Sequence, residues 1–251
     1  MTLLLHTDVG HDPDDAVALS YLLERGYCPD YITISPGFQE QADIVWSILG
    51  EYGKREHCQI FIHGTEKTNH EPGKHKIFMC GFSSSERFWN SFCVKDAIVI
   101  GPPKGLGDRL RCNRIFFQGG YSQNSVNPLP KFLGVPAVQS FNPSGARDDF
   151  KKLLASDSVK EKRYIGKNVC HGFTKADLVK IWSPKNKRVK SFFDKLEPKK
   201  AMHDVLACMI YTGEINPIWE QATPVFNELL MSTTPTSDNI YSLIGITNYE
   251  V

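Results

Sequence analysis

Residues 8–15 of this 251-residue chain read Asp8-Val9-Gly10-His11-Asp12-Pro13-Asp14-Asp15, which puts four carboxylates within eight positions. Carboxylates crowded this way repel one another unless a positive charge sits among them. A hard dication such as Ca²⁺ or Mg²⁺ supplies that charge and prefers oxygen ligands. Part of the cluster has a simpler explanation: Asp12 can cap a following helix, and Asp14 and Asp15 suit its N-terminal dipole. That account leaves Asp8 over, which points the cluster toward metal binding or catalysis.

The elements around this stretch decide where it sits. Residues 2–5 form a short apolar run that stops at His6-Thr7-Asp8, the pattern of a buried parallel strand. Residues 14–23 have helical apolar spacing, and Gly26 follows as a stop. Strands are expected at 31–35 and 59–62, with a helix at 41–52 between them. Further strands are expected at 97–100, 114–117 and 163–169, and helices at 146–155 and 198–212, the last opening with Pro198. Residues 67–76 read as a loop, 86–92 as a short helix, 121–130 as turn-rich, and the tail from 224 as having β character. Strand–loop–helix alternation predicts a mostly parallel sheet flanked by helices, and no linker divides 1–251. In such sheets ligands bind at the carboxyl ends of the strands, where the acidic stretch falls.

Composition narrows the partners. Lys and Arg number 29, Asp and Glu 28, for a net charge of +1, so nothing electrostatic favours a nucleic acid or a membrane surface. The seven cysteines are dispersed with no CxxC pair, which argues against a disulfide framework or zinc cluster and for a reducing, cytoplasmic compartment. No apolar run is long enough for a signal peptide or a membrane span.

The stretch from His6 through Ala16 resembles the N-terminal signature of the inosine-uridine nucleoside hydrolases, Asp-Thr-Asp-Pro-Gly-x-Asp-Asp-Ala, with two residues inserted before Asp14-Asp15 and His6 where the family has Asp. Three further segments are similar. His203-Asp204, followed by Val205-Leu206-Ala207, resembles His-Asp-Pro-Leu-Ala. Gly101-Pro102-Pro103-Lys104 resembles Gly-Pro-Leu-Thr. Gln118-Gly119-Gly120 and then Ser140-Phe141-Asn142 resemble Met-Gly-Gly and Glu-Phe-Asn, with Ser140 in place of the family's ribose-gripping Glu. The resemblance implies a Rossmann-like single domain and a calcium-dependent N-ribohydrolase. It implies Ca²⁺ bound by Asp8, Asp15, Asp204 and the backbone carbonyl of Lys104, with Asp8 also activating water. Asp14, Gln39, Asn142 and Asn124 would contact the ribose, and His203 would protonate the leaving base. Phe38, Phe82 and Trp89 are candidates for stacking on the base, and residues 65–90 for setting its identity. A homodimer or homotetramer is implied as well.

Two rivals follow from the same residues. A metal-dependent phosphohydrolase also places Asp at a strand tip, but its Asp-x-Asp pair is absent, since His6 and Gly10 flank Asp8. A non-catalytic nucleoside-binding protein on the same fold would account for the carboxylates replaced by His6 and Ser140.

Overall fold

The computed structural model describes residues 2–10, 12–62, 77–79, 93–107, 109–122, 124–126, 129–135, 138–223 and 239–247. The expected elements at 67–76 and 86–92, the tail from 224 to 238, and Phe82 and Trp89 lie outside the described residues.

The chain opens with β1 (Leu3–Thr7), α1 (Asp14–Glu24), β2 (Tyr31–Ile34), α2 (Gln39–Glu51), β3 (Gln59–Ile62) and β4 (Ile77–Met79). It continues with β5 (Cys93–Val99), β6 (Arg111–Gln118), α3 (Phe141–Gly145), α4 (Arg147–Ala155), β7 (Val159–Ile165) and α5 (Lys167–Cys170). Then come α6 (Lys175–Ile181), α7 (Lys187–Phe193), α8 (His203–Thr212), β8 (Asn216–Glu220) and β9 (Ile240–Thr247). The strands form one sheet in the order β4-β3-β2-β1-β5-β6-β7-β9-β8. Every pairing is parallel except that of the edge strand β8 with β9.

Both faces of the sheet are covered. Leu3 and Leu5 point into one core with α1 and α8, while Leu4 points into the other with Phe150 and Leu153 of α4. This explains why β1 is buried at all five positions and reads as an unbroken run rather than an alternation. From β1 the chain winds outward through β2, β3 and β4, then returns to lay β5 on the other side of β1. The carboxyl ends of β1 and β5 therefore flank the point where the winding reverses, the crevice in which open α/β sheets bind ligands.

Three expectations need correction. The last long helix starts at His203, not Pro198. The carbonyls of Pro198 and Lys200 accept hydrogen bonds from Ala176 and Lys175, and Ala201 bridges to Thr174, so residues 198–202 are drawn out to cover the start of α6. The strand expected at 163–169 ends at Ile165, and after Gly166 the chain makes one helical turn, α5. Two short helices, α6 and α7, occupy a region with no expected element. α7 includes the basic run around Lys187, whose apolar partners Val189 and Phe193 are buried.

Candidate functional site

The carboxylates reach the crevice from three directions. Asp8 follows the tip of β1, Asp14 and Asp15 form the first turn of α1, and Asp204 lies in the first turn of α8. The helix N-termini favour negative charge there. Asp14, Asp15 and Asp204 each offer an oxygen within 4.8 Å of the others. All four side chains are buried. Thr7 Oγ1 donates to Asp15 Oδ1 at 2.5 Å and itself accepts from the amide of Val9 at 3.1 Å, which ties the strand tip to the helix start.

Burial and mutual repulsion leave this group short of positive charge. Burial, then the Asp12 charge, pushes Asp14 up to about 7. Burial together with Asp8 and Asp14 holds Asp15 well above the usual carboxylate range, and burial with Asp14, Asp15 and Asp8 does the same to Asp204. Among the described residues, Asp14 Oδ2 is buried without a hydrogen-bond partner. An all-oxygen donor set with an orphaned buried oxygen fits a hard dication.

Glycine decides how closely the strands approach. A Cβ on Gly101, just past β5, would lie 2.7 Å from the Asp8 amide nitrogen. The turn at Gly101-Pro102 thus needs glycine to let the end of β5 lie against Asp8. His6, where the resemblance expects a carboxylate, is fully buried and spans two strands. Its Nδ1 lies 2.7 Å from Thr33 Oγ1, and its Nε2 lies 2.6 Å from the Pro102 carbonyl. Burial lowers its pKa to about 4, so the ring is neutral; Nε2–H donates to Pro102 and Nδ1 accepts from Thr33. His6 is a clamp under the site.

A cleft of about 430 Å³ opens beside Asp8, with Ser35, Gln41, Pro102, Lys104 and the exposed rings of Phe38 and Phe141 on its walls. Lys104 is thus at the cleft. Gln39 is not among the lining residues, and its amide donates to Asp43 on α2 at 2.9 Å. Gln41, two positions on, is buried, and its Oε1 accepts from Gly37 and Phe38. The Asn142 amide is spent on the carbonyls of Ile100 and Gln118 and on Gln118 Oε1, at 2.7–3.0 Å, fastening α3 across the ends of β5 and β6. Asn124 donates to Glu220 of β8.

His203 stacks on His171, with ring centroids 4.4 Å apart. Burial, then the charges of Lys200 and Lys167, lowers its pKa to about 4. The charge of Lys200 was not anticipated from the sequence. Its Nζ meets Asp12 Oδ2 at 2.5 Å, which anchors the inserted part of the acidic loop to the segment before α8.

By sequence, no family model and no curated protein matches the chain. Its structure is similar to that of a plant nucleoside hydrolase, with a TM-score of 0.61 and 14% identity over 99% of this chain and 87% of that one. It is also similar to an inosine-guanosine nucleoside hydrolase, with a TM-score of 0.59 and 13% identity over 98% and 95%. A purine-preferring ribonucleoside hydrolase from Gardnerella vaginalis gives a TM-score of 0.59 and 16% identity over 98% and 94%. With the acidic cluster at the switch point of the same sheet, the chain has the fold of the nucleoside hydrolases.

Proposed function

We propose that the chain hydrolyses the N-glycosidic bond of a ribonucleoside, releasing free base and ribose, with Ca²⁺ held by Asp8, Asp15 and Asp204. The observation that carries this is the meeting of Asp14, Asp15 and Asp204, some 190 positions apart in the chain, within 4.8 Å beside Asp8. Bound there, the ion would acidify a water and hold ribose hydroxyls.

Asp8 lies on the wall of the cleft and takes the proton of the attacking water. As the bond to the base lengthens, positive charge gathers on the sugar, and the surrounding carboxylates stabilise it. Phe38 and Phe141 flank the cleft as stacking surfaces for a base. His203 is neutral near pH 7, so it aids the departing base by hydrogen bonding rather than by handing over a stored proton.

The test is free-base release from a panel of ribonucleosides, with Ca²⁺ and with chelator. Calcium-dependent release supports the proposal. Calcium-dependent binding without release would favour the second reading, a nucleoside-binding protein, which is motivated by the commitment of His6 to Thr33 and Pro102.

A further inference from the structure

A positively charged corner lies against the acidic cluster, and the hydrolysis of a neutral nucleoside makes no use of it. Lys131 Nζ lies 3.0 Å from His171 Nδ1. An ammonium only donates, so Nδ1 accepts and the ring proton sits on Nε2. Among the described residues, that Nε2–H is buried without a partner. A buried donor without an acceptor is unfavourable unless a ligand supplies one.

Lys167, at the start of α5, reaches the same corner, and its Nζ donates to the Gln139 carbonyl at 2.6 Å. Lys131 and Lys167 repel each other, and among the described residues neither forms an ion pair with a carboxylate. Lys200 is different, because its charge is matched by Asp12. The neighbour of Gln139 is Ser140, the position where the resemblance expects a carboxylate that grips the ribose. Here the Ser140 hydroxyl takes up the Gly120 amide at 3.3 Å. One corner of the site thus holds a serine where the resemblance expects a carboxylate, with two lysines beside it.

We propose that this corner is a phosphate subsite and that the substrate is a ribonucleoside 5′-phosphate. The assignment rests on the hydrolase reading above. Phosphate oxygens accept hydrogen bonds and carry the charge that Lys131 and Lys167 lack, and His171 Nε2–H supplies a further donor. The 5′ position follows because the acidic cluster takes the 2′ and 3′ hydroxyls at the other side of the sugar. In the reaction water forms a bond to C1′, the C1′–N bond breaks, the base departs with a proton, and the phosphate ester stays intact. The products are free base and ribose 5-phosphate.

The test compares kcat/KM for ribonucleosides and their 5′-monophosphates in the wild type and in the double variant Lys131→Met, Lys167→Met. Calorimetry with ribose 5-phosphate runs alongside, in the presence of Ca²⁺. The wild type should favour the monophosphates by roughly tenfold or more, and the double variant should bring that ratio close to one and weaken ribose 5-phosphate binding roughly tenfold. Lys167→Arg should keep most of the preference. A wild-type preference for unphosphorylated nucleosides, or a ratio unmoved in the double variant, overturns the subsite. Should neither substrate class release base, the hydrolase reading fails on its own. In that case ribose 5-phosphate binding that the double variant loses still supports the subsite, and absent or variant-independent binding overturns it.

Discussion

A methyl group on Gly101 would stand 2.7 Å from the Asp8 amide nitrogen and 2.9 Å from its carboxylate Oδ1. The amide nitrogen is backbone, as is the Thr7 carbonyl carbon at 2.9 Å, so turning the Asp8 side chain aside would relieve only the Oδ1 contact. Gly101→Ala must therefore move Asp8, the group assigned to take the proton from water. A displacement of about 1 Å at a reacting group costs on the order of 100-fold in rate. Overpacking at the strand ends adds about 1–3 kcal/mol of destabilisation. Base-release kinetics and a thermal melt on Gly101→Ala check both, and near-normal turnover would remove Gly101 as the residue that sets Asp8.

The metal-free protein should carry a pH-dependent instability centred on Asp14. Burial and the Asp12 charge raise its folded pKa to about 7, from the ordinary aspartate value of 3.8. Between those values the native state binds more protons than the unfolded state, so the slope of unfolding free energy with pH is negative. The stability is fully present below about pH 4 and is lost as the pH rises through 7. In chelator, Asp14→Asn should melt at a higher temperature than the wild type at pH 7.5, and the two should converge near pH 4. Calcium should narrow or reverse the gap at pH 7.5. A gap independent of pH would show that repulsion at Asp14 is not its source.

Lys200 is the cation that already tempers the cluster. It pairs with Asp12 and lies in the field of Asp14 and Asp204, which help raise its own pKa against the effect of burial. Lys200→Met removes a charge that competes with a dication, so Ca²⁺ should bind several-fold more tightly at low salt, and less so as salt screens the field. Without metal the variant should be less stable at neutral pH, because the carboxylates lose their counter-charge. Calorimetry in low and high salt tests this, and weaker calcium binding would assign Lys200 a purely structural role.

How far the sequence reveals this site depends on the range of the interactions. The acidic stretch is legible because one strand tip and one helix start carry all its members within eight residues. Asp204 is legible only through its His-Asp neighbourhood, since its partners at 14 and 15 are joined to it by the packing of α1 on α8. The ion pair of Lys200 with Asp12 spans 188 positions, and no local pattern announces it. Lys167 was hidden inside an expected strand, although Gly166 marks where that strand stops. Residues 198–202 carry a proline suited to a helix start, but the backbone of α6 claims their carbonyls, so tertiary pairing overrides local propensity. Gln39 and Gln41 differ by two positions in one helix, enough to send one amide to Asp43 and the other to the cleft.

His203 closes the set. Its ring is held neutral near pH 7, with a pKa of about 4 set by burial and then by Lys200 and Lys167, and it stacks on His171. A neutral imidazole can hydrogen-bond the departing base but is a weak proton store. His203→Ala should therefore slow hydrolysis of ribosides with poor leaving groups by about 10²–10³-fold, the cost of one lost hydrogen bond to developing charge. A nitrophenyl riboside, whose leaving group needs no help, should be affected far less. The pH–rate profile of the wild type should lack a limb near 6.5, because the imidazole does not titrate there. Equal losses on both kinds of substrate would place His203 in the architecture around Asp204 rather than beside the leaving group.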